Sequence, residues 1–204
     1  MEWNARTELG RKVISGEIKS FDELVKSGRK ILETEVIDVL LPDLEEEVVE
    51  VSSTQRMTAS GRKMLMRAVV VIGDKKGHVG YGVGKGFETK TAIASAVQNA
   101  KRRVISVVLG CGSWECGCGK SHSLPRIVRG KSGNTEVVLM PAPRGTGIVA
   151  GEVSKKVLSL AGLKDVWSKS KGRTRNVLNL VRATVNALNS LNKLKGELKN
   201  VGSG

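Results

Sequence analysis

Three cysteines and one histidine crowd into a short stretch, Cys111-x4-Cys116-x-Cys118-x3-His122. Three thiolates and an imidazole suffice for one tetrahedral zinc, and a closed set of four protein ligands makes such a site structural. The spacing departs from the common C-x-x-C pairs, so three ordinary small thiols remain the competing reading. Glu115 beside them does not complete the H-x-E…C-x-x-C pattern of zinc deaminases. An odd, clustered set argues against a disulfide framework, and for metal or free thiols in a reducing cytoplasm.

Gly80, Gly82, Gly84 and Gly86 alternate along a strand-like run. Period two puts them on one face, with Val79, Tyr81, Val83 and Lys85 on the other. A bare glycine face admits another backbone, either RNA beside Lys75, Lys76, His78 and Lys85 or the helix that follows. Two nucleotide motifs fail here. The dinucleotide fingerprint G-x-G-x-x-G is broken by Lys85 or Phe87. A P-loop would need Ser or Thr after Gly84-Lys85, where Gly86 stands, and a glycine where Val79 stands.

Two further segments are built to meet phosphate. Ser60-Gly61-Arg62-Lys63 reads as a mobile basic loop joining two strands, or as a plain solvated one. Lys169, Lys171, Arg173 and Arg175 precede the last helix, with Asn176 as a reasonable N-cap. Cations at a helix N-terminus oppose its dipole unless an anion sits between them.

These residues need elements to position them. Residues 1–44 read as a helical extension, with a capping box at Ser20-Phe21-Asp22-Glu23, a stop at Gly28 and a break at Pro42. Strands follow at Glu47–Val51, Met64–Ile72 and His78–Lys85, the last two joined by a tight turn at Asp74–Gly77. Glu88–Ile105 reads as an amphipathic helix with Ile93, Ala96, Val97, Ala100 and Val104 on one stripe. Beyond a Gly/Cys-rich connector at 110–123, strands are expected at Arg126–Val128, Thr135–Met140 and Leu163–Trp167. Helices are expected at Glu152–Ala161 and Val177–Leu194, with a polar tail at 195–204. The fold class is α+β: an α-β-β-β-α domain over 45–109, then a β-β-α-β-α domain over 124–194.

Charge narrows the partner. The 204 residues carry +14, with 40% hydrophobic residues and only 3% aromatic. Residues 1–50 hold 7 basic and 13 acidic side chains, net −6, and the remainder hold 27 and 7, net +20. Such a surplus repels itself unless a polyanion neutralises it, and nucleic acid does so with release of counterions. So few aromatics suit a protein that reads phosphates and shape rather than stacked single-stranded bases. No apolar run nears the roughly 20 residues of a membrane span. Met1-Glu2-Trp3-Asn4 predicts no secretory signal.

At this point the residues resemble a known family. Gly73-Asp74-x-x-Gly77-x-Val79-Gly80-x-Gly82-x-Gly84-Lys85 resembles the signature of the universal small-subunit ribosomal protein number five family. Pro141-Ala142-Pro143-Arg144-Gly145-Thr146-Gly147-Ile148-Val149-Ala150-Gly151 and Val181-Arg182-Ala183-Thr184 resemble it too. The likeness runs from about Glu45 to Leu191, and the cysteine cluster and acidic extension look archaeal.

The resemblance implies a double-stranded-RNA-binding-like first domain and a second domain with a left-handed β-α-β crossover. It implies a non-enzymatic constituent of the small ribosomal subunit, cytoplasmic in the ribosome, that binds ribosomal RNA and supports assembly. It further implies ribosomal proteins numbered four and eight as neighbours, and a part in the channel by which mRNA enters and in decoding accuracy. Ser60–Lys63 resembles the family loop near the head–body junction. The expected RNA contacts are Arg62, Lys63, Lys75, Lys76, His78, Lys85, Lys90, Arg102, Arg103, Arg144, Lys169, Lys171, Arg173, Arg175 and Asn176. One structural zinc on Cys111, Cys116, Cys118 and His122 is the only expected cofactor, with no organic one. The alternatives are a free RNA chaperone or double-stranded-RNA module and, remotely, a small-molecule kinase of the same C-terminal fold. The kinase reading lacks the serine pair after the glycines, where Ile148-Val149 stands.

Overall fold

The structure, a computed structural model, describes residues 5–18, 20–26, 28, 30–118 and 120–192. The expected tail at 195–204 and the Met1–Asn4 segment lie outside the described residues. The chain divides into two compact units, Met1–Asp74 with Gly80–Ile105, and Lys75–Val79 with Ser106–Gly204.

The first unit begins with three short helices, α1 (Glu8–Ile14), α2 (Phe21–Lys26) and α3 (Glu35–Leu40). Helices this short are not stable alone, so packing must hold them. Leu9, Val13, Leu24 and Val36 form a small cluster of their own. The Glu33 carboxylate ties the chain start down by accepting from the amides of Arg6 and Thr7 at 3.0 and 2.7 Å.

A four-stranded sheet follows, β1 (Glu45–Thr58), β2 (Gly61–Gly73), β3 (His78–Gly86) and β4 (Val104–Ser106), in that order across the sheet. The expected mobile loop at Ser60–Lys63 is a correction. Pairing runs out to Thr58↔Gly61, Met57↔Arg62 and Arg56↔Lys63, leaving a two-residue turn. Gly61 has φ +115, and Thr58 Oγ1 donates to the Gly61 carbonyl at 2.7 Å. These close the hairpin and draw Arg62 and Lys63 into a strand.

Helix α4 (Thr89–Lys101) packs on this sheet. It ends four residues before the expected Ile105, because Val104 and Ile105 join the sheet as β4. Their branched side chains favour a pleated strand, and the sheet edge supplies ladder bonds. Ala92, Ala96 and Ala100 lie under the glycines. A Cβ on Gly82 would fall 2.0 Å from the Ala96 carbonyl oxygen, and one on Gly84 would fall 2.1 Å from that of Ala92. The helix backbone therefore occupies the glycine face, and no RNA backbone reaches it.

The second unit holds β5 (Val128–Ser132), β6 (Thr135–Pro141), β7 (Ile148–Val149), α5 (Glu152–Leu160), β8 (Val166–Gly172) and α6 (Val177–Asn189). Its sheet order is β5-β6-β8-β7, with β7 parallel to β8, so β7, α5 and β8 make a β-α-β unit. Two sheets with packed helices make the chain α+β, as expected. The strand expected at Arg126–Val128 starts instead at Val128. The strand expected at Leu163–Trp167 is displaced to Val166–Gly172. Its pairing with β6 runs from Pro141↔Val166 to Thr135↔Gly172, which carries Lys169 and Lys171 into the strand. Gly162, at φ +85, reverses the chain after α5. Asn176 caps α6 by accepting from the Asn179 amide at 3.4 Å. The core here is Val137, Leu139, Leu158, Val166, Val181 and Leu188.

The close strand–helix approach yields a stability test. Gly82→Ala must displace α4 and should cost about 1–3 kcal/mol or more. Gly151→Ala, with nothing within 4 Å of its Cβ, should cost under about 1 kcal/mol, chiefly through the N-cap. Chemical unfolding of the two variants compares them, and equal losses would contradict the packing.

Candidate functional site: metal centre and basic surface

The connector at 110–123 folds back on its own end. Gly110 pairs with Ser123 in an isolated bridge, and the Gly112 amide donates to the Leu124 carbonyl at 2.9 Å. A Cβ on Gly112 would lie 2.1 Å from the Pro125 carbonyl, so only glycine permits this approach. With Gly110 opposite Ser123, Cys111 comes beside His122. A turn closed by the Cys116 amide on the Ser113 carbonyl brings the remaining thiols round.

The ligand atoms of Cys111, Cys116, Cys118 and His122 all lie within 4.8 Å of one another. Cys118 Sγ is 3.7 Å from Cys111 Sγ, and Cys116 Sγ is 3.6 Å from His122 Nε2. A tetrahedron with Zn–S bonds near 2.3 Å has edges of about 3.8 Å, so both distances suit it. Cys116 and Cys118 stand 3.0 Å apart and must open by about 0.8 Å to seat the ion.

The site has an outer layer. His122 and Asp165 are 6% and 5% exposed. His122 Nδ1 lies 2.8 Å from Asp165 Oδ2, near it though not aligned as a full N–H donor bond. Nε2 is thereby left to face the thiols. Asp165 Oδ1 accepts from the amides of Gly145 at 3.0 Å and Gly147 at 2.9 Å. A carboxylate behind a histidine ligand is the usual support of a zinc site.

Electrostatics follow this geometry. Burial works to raise the Asp165 carboxyl, but the Gly147 amide, His122 and the Gly145 amide outweigh it and hold it below the usual carboxylate range. Cys116 is lowered to about 6, first by the Cys118 thiol, then by the amides of Arg144 and Cys118 and by His122. Partial burial pushes the Cys111 thiol up. One ready thiolate beside a second thiol suits metal capture.

The expected RNA contacts fall on separate faces of the two units. In the first unit, Lys63 and Lys85 line one cavity of about 540 Å³ with Arg56 and Leu65. Lys63 Nζ stands 5.5 Å from the Phe87 ring centre, and the Arg103 guanidinium 5.9 Å from that of Tyr81. Arg62, Lys90 and Arg102 are exposed. In the second unit, Lys75 and Lys76 are exposed and His78 half-buried, with the Lys75 amide donating to the Leu160 carbonyl at 2.9 Å. Arg144, Lys169, Lys171, Arg173 and Arg175 are exposed. The cluster of four cations expected at the α6 N-terminus is reduced to Arg173 and Arg175, since Lys169 and Lys171 stand on β8. The Asn176 side chain is taken up in capping.

Sequence reasoning missed Arg56, which becomes visible once the hairpin register sets it opposite Lys63. It also missed Asp165, whose neighbours in sequence carry no metal pattern. Among the described residues no helix is long and apolar enough to cross a membrane.

A family model described as ribosomal protein S5, N-terminal domain, matches residues 44–108, and one described as ribosomal protein S5, C-terminal domain, matches residues 130–200. A small ribosomal subunit protein uS5 from Methanoregula boonei is 49% identical over 194 residues, covering 95% of this chain and 95% of its own. The protein of that name from Aeropyrum pernix is 55% identical over 186 residues, covering 91% of this chain and 85% of its own. That from Methanothermobacter thermautotrophicus is 50% identical over 204 residues, covering 98% and 94%.

The lowered Asp165 carboxyl sets a pH dependence. Its contribution to stability is complete above the unfolded-state value near 3.8 and is lost as pH falls through the lower folded-state value. Asp165→Asn should remove that acid limb and weaken zinc binding about 10–100-fold. Unfolding curves below about pH 4 and a zinc titration check both, and an acid limb equal to that of the unsubstituted chain would contradict the assignment.

Proposed function

Because the chain belongs to the ribosomal protein S5 family, and so is a structural, non-enzymatic constituent of the small ribosomal subunit, we propose that its exposed cations are neutralised there by the phosphates of ribosomal RNA. The observation that carries this is the charge. Residues 51–204 hold a surplus of +20, and the exposed members of that surplus stand on strands, turns and helix ends of both units. Each phosphate contact releases a counterion, so affinity falls steeply with salt.

Arg62, Lys63, Lys85 and Arg103 serve the first unit, with Arg56 added, and Lys90 and Arg102 extend that surface along α4. Lys75, Lys76, His78, Arg144, Lys169, Lys171, Arg173 and Arg175 serve the second. Asn176 sets the start of α6 rather than touching RNA through its side chain. We assign the acidic extension to residues 1–44, the RNA-binding-like domain to 45–109, the connector to 110–123, the second domain to 124–194 and the tail to 195–204. The extension faces basic neighbours or solvent. Ribosomal proteins numbered four and eight are the chain's neighbours in the particle, the hairpin tip stands near the head–body junction, and the chain helps line the channel by which mRNA enters, with an effect on decoding accuracy. The chain supports subunit assembly in the cytoplasm.

Zinc fits the connector. Three thiols, an imidazole and a supporting carboxylate make a donor set of the structural type. Cys111, Cys116, Cys118 and His122 would hold the ion. It would supply a crosslink to a segment whose largest exposed side chain, Trp114, buries almost nothing.

Two measurements test this reading. Arg173 and Arg175 replaced by Ala together should flatten the slope of log affinity against log salt, on small-subunit ribosomal RNA, by about 1.4–1.8. An unchanged slope would remove this loop from the interface. Protein purified without chelator should carry about one equivalent of zinc, and less than about a tenth would contradict a structural site.

A further inference from the structure

Three cations converge over the candidate metal centre, two of them unremarked so far. Lys120 stands in the connector, Arg144 in the loop after β6, and Lys164 between α5 and β8. All three are exposed. Together with Ser121, His122 and Asp165 they line one cavity of about 500 Å³. Among the described residues none of the three forms an ion pair. The one carboxylate in the cavity is committed elsewhere, with Oδ1 on two amides and Oδ2 against His122.

Each cation is anchored within two residues of an atom tied to the Cys/His set. Lys120 precedes His122 by two positions. Arg144 precedes Gly145, whose amide donates to Asp165 at 3.0 Å. The Lys164 amide donates to the His122 carbonyl at 3.0 Å, and Asp165 follows it directly. Three chain segments thus meet at one knot, and a basic side chain projects from each.

We propose that this cavity binds a backbone phosphate of RNA, through Lys120 and Lys164 with Arg144, and that metal in the Cys/His centre holds the three cations in register. The inference rests on the zinc reading above and adds a ligand and a dependence to it. Free nucleotide is disfavoured by the same geometry. The Gly145 and Gly147 amides that would cradle its phosphates already donate to Asp165. A lone phosphodiester needs only side-chain cations, which are what the rim offers. The rival role is to balance charge. A zinc held by three thiolates carries −1, and Asp165 another, so three cations exceed local need by one.

The experiment uses the full chain, loaded with zinc and assayed for metal, against small-subunit ribosomal RNA over a range of salt. K120Q/K164Q should keep its zinc and flatten the slope of log affinity against log salt by about 1.4–1.8. Chelator-stripped unsubstituted chain should lose slope likewise, and stripping the double variant should cost little more. An unchanged slope in zinc-loaded K120Q/K164Q overturns the phosphate site and leaves the zinc reading standing. Loss of zinc from that variant with the slope kept overturns it too, in favour of charge balance. No zinc in either protein overturns the zinc reading itself, and with it the dependence on metal. ATP binding by the unsubstituted chain that K120Q/K164Q abolishes would reassign the cavity to a nucleotide and overturn the RNA ligand.

Discussion

An ionised carboxylate out of water must be met by donors, since burying it unpaired costs more than most single contacts return. Asp165 meets that condition with two backbone amides on Oδ1, while Oδ2 lies 2.8 Å from the His122 imidazole, so two segments distant in sequence meet at it. It thereby fastens the connector at 110–123 and the loop at 141–147 to the start of β8. Apart from backbone bonds such as the Gly112 amide on Leu124 and the Lys164 amide on His122, the connector has little apolar packing to hold it. Its apolar residues are few, and Trp114 points out to solvent. Among its described residues only Ser113, His122 and Ser123 are buried. The polar knot replaces the hydrophobic core that such a segment cannot build. Because it is directional, it fixes which way the neighbouring side chains face.

Both sheets solve their helix packing in one way. Glycines on a strand meet alanines on a helix so closely that backbone touches backbone. Gly82 and Gly84 do so under α4, and Gly130 under α6, where an added Cβ would lie 2.1 Å from the Ala183 carbonyl. Small residues maximise dispersion contact per unit length of helix and leave no room for anything else on that face. The consequence is electrostatic as well as steric. With the helix-covered faces closed, cations are left to turns, strand ends and the open sides of hairpins, where phosphate can reach them.

Patterns carried by covalent period were legible in the sequence. The glycine alternation marked a strand that something approaches, Val181–Leu188 marked a helix face, and the Cys/His spacing marked a ligand set. What was not legible depended on long-range pairing. Arg62 and Lys63 read as loop because nothing local says that β1 will pair as far as Thr58. Val104 read as the end of a helix stripe, since its apolar character serves a helix or a strand alike. Lys169 and Lys171 read as a loop before α6 because the strand they belong to is set by its register with β6. Asp165 stands alone in sequence, and its role exists only once the loop at 141–147 and His122 fold around it. Lys120 and Lys164 gain meaning the same way.

One carboxylate, that of Asp165, joins the candidate metal centre to the proposed RNA-facing surface. An experimental map of the assembled small subunit, with anomalous data at the zinc edge, tests that join in one step. It should show a peak about 2.3 Å from the Sγ atoms of Cys111, Cys116 and Cys118 and about 2.0–2.1 Å from His122 Nε2. An RNA phosphate should stand against Lys120 and Lys164. A map with no zinc-edge peak there, or with that cavity open to solvent, would contradict the account.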